Sequence, residues 1–114
     1  MLEKQKENIK NILSLIQDNP DFEILPMVAT ECIFSDDFSY WMGEWGEAIV
    51  DKYYISDERV YQYCNDFDTL VEEWIDNNYE DYKNLSDDEL EKLAEETVNN
   101  YKWIDAIIVY IEKL

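Results

Sequence analysis

Histidine is absent from this chain of 114 residues, and its absence excludes more chemistry than any residue present suggests. Ser-His-Asp and Cys-His catalysis are ruled out, and metals lose their commonest side-chain ligand. Arginine occurs once, at Arg59, which is too little to clamp a phosphate or carboxylate substrate. Its expected role is an ion pair with a nearby acid on a strand. Gly43 and Gly46 are the only glycines, so there is neither a Gly-rich phosphate loop nor a dinucleotide fingerprint. Cys32 and Cys64 form no Cys-x-x-Cys pair and no secreted disulfide scaffold. Neither has the electropositive sequence neighbours that would activate a thiolate, and reduced cytosolic thiols are expected. No apolar run reaches about 18 residues, so no membrane span is expected. The N-terminus leads into an amphipathic pattern rather than a signal-peptide core. With 28 acids, carboxylate pairs at glycosidase spacing arise by chance and carry no signal. A non-enzymatic, cytoplasmic protein without a cofactor is the expectation.

The dominant feature is acidity. The chain holds 28 Asp and Glu against 9 Lys and Arg, a formal net charge of −19, yet 46% of it is apolar and 15% aromatic. That apolar content separates it from disordered acidic tails. A compact domain of this length has a radius of gyration near ~13 Å and a diameter of roughly 35 Å. The same length of B-DNA carries roughly 20 phosphates, at about one charge per 1.7 Å. The charge is also uneven. Residues 1–17 sum to +1 and 102–114 to 0, while 18–101 hold 24 acids against Lys52, Arg59, Lys83 and Lys92, or −20. Solubility or life in a salty cytoplasm would account for such a field without any partner. If the field is used, the natural partner is basic, and nucleic acid and acidic membranes are excluded as direct ligands.

The pattern of elements predicts one α+β domain over 1–114, with an N-terminal helix, a three- to four-stranded antiparallel sheet, and two C-terminal helices packed on one sheet face. Ile9, Ile12, Leu13 and Ile16 give residues 2–18 a helical stripe that Asp18-Asn19-Pro20 ends. Residues 22–34 read as extended, with Pro26 forcing an edge or a bulge, and Ser35-Asp36-Asp37 as a turn. Phe38–Met42 and Glu47–Ile55 read as strands. Gly43 and Gly46 either turn a hairpin or bulge one long strand. Ser56-Asp57-Glu58 is a turn before a third strand, Arg59–Cys64. Asn65 or Asp66 caps a helix carrying Phe67, Leu70, Val71, Trp74 and Ile75, followed by a polar connection over 76–84. Ser86-Asp87-Asp88-Glu89 is a capping box, with Leu85 stapling onto Leu90. From there one stripe is predicted to stay helical to Ile111, kinked or split at Asn99-Asn100. The terminal run 106–111 is apolar nearly all round and is expected to be centrally buried.

Three constellations are candidates for function. The first is the one-signed helix face of Glu72, Glu73 and Asp76, opposite the Phe67/Leu70/Trp74 stripe, with Glu91, Glu95 and Glu96 disposed likewise on the last helix. Like charges at i, i+4 destabilise a helix slightly. Such faces are expected where a partner supplies Lys and Arg. The second is the set of aromatics beside acids, where cation–π contact and ion pairing combine: Trp45 between the glycines with Glu44, and Tyr79 and Tyr82 with Glu80 and Asp81. Trp41 and Trp74 are expected in the core. The third is an EF-hand-like spacing in 76–87 (Asp76, Asn78, Glu80, Tyr82, Asn84, Asp87), which lacks the turn glycine and the closing Glu. It carries an alternative expectation of a calcium-binding module.

In its size, acidity, lack of histidine and scattered carboxylates, the whole chain resembles the small inhibitors encoded by phages and mobile elements, namely antirestriction DNA mimics and anti-CRISPR proteins. The resemblance is compositional and implies no particular fold. It implies an inhibitor, in the host-cell cytoplasm if phage-encoded, that occupies the nucleic-acid-binding surface of a CRISPR effector or restriction enzyme. Immunity proteins of basic nuclease toxins resemble it equally and form the second alternative. The partner-binding residues expected are Asp36, Asp37, Glu44, Trp45, Glu72, Glu73, Asp76, Tyr79, Glu80 and Asp81, on a monomer or homodimer.

Overall fold

The computed structural model describes residues 2–33, 35–57 and 59–114. Phe34 of the extended run predicted over 22–34, and Glu58 of the predicted turn, lie outside these residues; within that run only Glu23–Val28 is a strand, and Thr30–Cys32 forms a 3₁₀ turn. The architecture is α+β: α1 (Leu2–Asp18), β1 (Glu23–Val28), β2 (Glu44–Ser56), β3 (Arg59–Gln62), α2 (Tyr63–Asn78), α3 (Asp87–Asn99) and β4 (Ile104–Glu112). The four strands form a mixed sheet of order β1-β4-β2-β3. Packing resolves the chain into two compact units, Met1–Asp51 with Asp105–Leu114, and Lys52–Ile104.

In the first unit, α1 ends as predicted. The backbone N–H and the side-chain amide of Asn19 both donate to the Leu15 carbonyl at 3.0 Å. Ile12 is buried with Ala48 of β2 and with Ile107 and Val109 of β4, flanked by Leu15, Ile16, Phe22 and Ile111. β1 pairs with β4 in parallel, from Glu23 opposite Ala106 to Val28 opposite Ile111. This corrects two expectations, since the sheet is not wholly antiparallel and residues 104–112 are a strand rather than the end of a helix. With neighbours on both sides, β4 is an interior strand. Ala106, Ile107 and Ile108 are fully buried and Val109 nearly so, so consecutive residues are covered and the apolar run shows no alternation. Pro26 lies on edge strand β1, where its missing N–H costs least.

Gly43 and Gly46 turn no hairpin, because β2 runs unbroken from Glu44 through Gly46. A Cβ on Gly46 would lie 2.8 Å from the Tyr110 carbonyl oxygen, and one on Gly43 would lie 2.6 Å from Ile111 Cγ2. Both glycines serve close approach to β4. The predicted strand at Phe38–Met42 is irregular chain, in which Phe38 meets Trp41 edge-on at 5.4 Å.

In the second unit, β2 and β3 pair antiparallel from Tyr53 opposite Gln62 to Ser56 opposite Arg59, and Asp57 adopts φ 55° beyond the end of β2. Helix α2 starts at Tyr63, two residues inside the predicted strand, so neither Asn65 nor Asp66 is the cap. The Gln62 N–H at the junction donates to the Asp66 carboxylate at 2.8 Å. Arg59 pairs with Asp66 at 3.6 Å and lies 4.4 Å over the Tyr61 ring, the strand ion pair expected of it. The core joins Leu70 and Val71 of α2, Ala94 and Val98 of α3, and Tyr61, with Tyr54, Phe67, Trp74, Ile75, Tyr101 and Trp103 around it.

The start of α3 follows the predicted capping box. Ser86 Oγ accepts the Glu89 N–H at 3.2 Å and lies 3.0 Å from the Glu89 carboxylate. Its end departs from prediction. The Asn100 N–H reaches the Glu96 and Thr97 carbonyls, and Trp103 Nε1 donates to the Val98 carbonyl at 2.8 Å. These bonds satisfy the last turn, so Asn99-Asn100 terminates the helix instead of kinking it.

Candidate partner-binding surface

The predicted site residues divide between the two units. In the first, Asp36 and Asp37 lie in the irregular segment after β1. Ser35 Oγ receives the Asp37 N–H at 3.3 Å and stands 3.2 Å from its carboxylate. Asp36 borders a pocket of about 360 Å³ with Val28, Cys32, Ile33, Phe38 and Trp41. Its exposed apolar lining includes Ile33 at 59% and Phe38 at 68%, and Met42, further along the same irregular segment, is 75% exposed. Glu44 is half-buried, and its Oε2 has no hydrogen-bond partner among the described residues. It is less available than an exposed acid.

Trp45 is held by α1. Its N–H donates to Gln5 Oε1 at 2.9 Å, and its carbonyl accepts from the Gln5 and Asn8 side chains at 2.9 and 2.8 Å. The half-exposed ring joins Ile9, Ile12 and Leu13 in lining an apolar recess of about 230 Å³. Sequence reasoning placed Trp45 beside acids, on either a hairpin turn or a bulge of one long strand. It stands on the continuous strand β2, beside the helix whose segment carries +1.

The second unit holds the larger group. α2 continues through a 3₁₀ turn at Tyr79–Tyr82, so the connection expected over 76–84 is largely helical. This removes the EF-hand-like loop, since Asp76 and Asn78 are helix residues. Among the described residues no group of three or more His, Cys, Asp or Glu is placed to hold a metal ion. At 3.6 residues per turn, Glu72, Glu73 and Asp76 span an arc of about 100°, and all three are exposed. They do not all border one feature. Glu72 rims a groove between α2 and α3. Glu73 lines a separate polar pocket of about 180 Å³ with Tyr54, Asn77 and Tyr101. Burial, with Tyr54 and Glu73 nearby, pushes the Tyr101 phenol above its ordinary range.

Glu80 is engaged by Lys83 at 2.6 Å, whereas Glu72, Glu73, Asp76 and Asp81 form no ion pair within the described residues. Tyr79 is 51% exposed, as an anchor would be. Tyr82 packs on Trp74 at 5.7 Å between ring centroids and belongs to the scaffold. Sequence reasoning did not single out Asp87 as a partner-facing residue, although it joins Glu91 on the α3 side of the groove. Their i, i+4 spacing was the available signal. Among the described residues no helix is long and apolar enough to cross a membrane. No protein-family model matches the chain, and no curated protein or solved structure shows significant similarity to it.

Proposed function

We propose that this chain is a non-enzymatic acidic inhibitor that binds the nucleic-acid-binding surface of a nuclease effector, of the antirestriction or anti-CRISPR kind. The observation that supports this reading best is the row of exposed carboxylates on α2, Glu72, Glu73 and Asp76, which form no ion pair among the described residues. The Lys52–Ile104 unit has 15 acids against 5 bases, a net −10. Self-repulsion of this size opposes folding, and Lys and Arg of a partner would relieve it. Association is then fast at low salt and slows as salt screens the field.

The test is displacement of labelled duplex from candidate restriction and CRISPR effectors, compared with a variant carrying Glu72→Gln, Glu73→Gln and Asp76→Asn. The variant is expected to displace DNA at least ~10-fold less well and to melt no lower than the wild type. Equal displacement by both removes this helix face from the site. The exposed Ile33, Phe38 and Met42 favour a second reading, an immunity protein with one tight cognate toxin, because apolar anchors contribute affinity that salt does not dissolve. A single partner surviving high salt in a pull-down distinguishes it.

A further inference from the structure

The groove between α2 and α3, of about 290 Å³, combines two chemistries. Val71, Ile75 and Leu90 form an apolar lining, and the carboxylates of Glu72, Asp87 and Glu91 stand on its two helical walls. Tyr79, half-exposed, lines it as well. The three carboxylates enter no ion pair among the described residues. Glu91 follows Asp87 by four positions on α3, a like-charge pair that works against the helix.

We propose that this groove receives an arginine side chain from a basic segment of the partner. The inference rests on the basic-partner reading above and names where its cation is seated. A wholly apolar ligand would strip water from three carboxylates without compensation, and an anionic ligand is repelled. A bare metal ion leaves the apolar lining uncovered. Arginine meets both demands, with its methylene stem on Val71, Ile75 and Leu90 and its guanidinium among the carboxylates. Tyr79 selects arginine over lysine, because the planar, weakly hydrated guanidinium stacks on aromatic faces.

Fluorescence anisotropy with labelled oligoarginine and oligolysine of equal length, at physiological ionic strength, tests this. A groove variant carries Glu72→Gln, Asp87→Asn and Glu91→Gln. A charge-matched control carries Asp68→Asn, Glu95→Gln and Glu96→Gln, all outside the groove, and a third variant carries Tyr79→Leu. Circular dichroism checks that each folds, as expected for exposed positions. Oligoarginine is expected to bind the wild type more tightly than oligolysine, and to weaken about 10-fold or more in the groove variant but at most about 3-fold in the control. Tyr79→Leu is expected to erase about 2- to 5-fold of the arginine preference. Equal losses in groove variant and control overturn the groove and leave the acidic-inhibitor reading standing on a diffuse field. A groove-specific loss with no preference for arginine overturns the guanidinium assignment. Failure of the wild type to bind either peptide overturns both readings.

Discussion

At the scale of single residues, Gly46 shows how tertiary context decides a residue's meaning. Scarce glycines beside a tryptophan suggest a turn or bulge, but the Tyr110 carbonyl 2.8 Å from where a Cβ would stand explains the residue by close approach alone. Gly46→Ala is expected to cost about 1–3 kcal/mol by overpacking, read as a lower urea midpoint at unchanged slope. Tyr101 is a second case. Its phenol is held above the ordinary value of 10.0, so the folded state favours the neutral form. In the unfolded chain the phenol ionises first, as pH passes about 10. The stability contribution is therefore intact below that pH and is lost as pH climbs through the raised folded value. Ultraviolet titration should show a phenol ionising above the ordinary value, and Tyr101→Phe should remove that phase and lessen the alkaline loss of stability.

At the scale of elements, legibility followed locality. The start of α3 is written in four consecutive residues and closes through Ser86 and Glu89. Ser86→Ala is expected to lower stability by about 1 kcal/mol, measured by thermal or urea unfolding. β4 was not legible by the same means. A run buried on both faces has no period of two, and Ile104, Ile108 and Ile111 extend the α3 stripe by coincidence of spacing. The β-branched Ile107-Ile108-Val109 after Asn99-Asn100 was the available sign of a strand. Ile107→Ala, at a position without solvent exposure, is expected to cost about 2–5 kcal/mol. A loss near zero would mean that β4 is not a packed interior strand. The candidate site behaves similarly. The acid stripe of α2 could be read from helical spacing, but its extension through Tyr82, and the assignment of Glu72 and Glu73 to different recesses, depend on what α3 and the β2–β3 hairpin place beside it.

At the scale of the whole molecule, charge is the governing quantity. The two units carry −9 and −10, so neither is spared self-repulsion. Added sodium chloride should therefore stabilise the protein by screening. A rise in melting temperature of roughly 4 °C for each ~1 kcal/mol gained is expected between low and high ionic strength, opposite in direction to the effect of salt on partner binding. A melting temperature indifferent to salt would mean that the carboxylates are compensated within the fold.

The sequence by itself determined the class of the molecule, because these properties are sums or local patterns: the net charge of −19, the chemistry excluded by missing histidine, the amphipathic first helix, the one-signed face of α2 and the cap of α3. Tertiary structure alone decided that the last apolar segment enters the sheet as a parallel partner of β1. It also decided that the glycines relieve a close approach, and that apolar and acidic side chains from two helices line one groove. Each of those depends on which segments become neighbours, and residues far apart in the chain carry no local record of that choice.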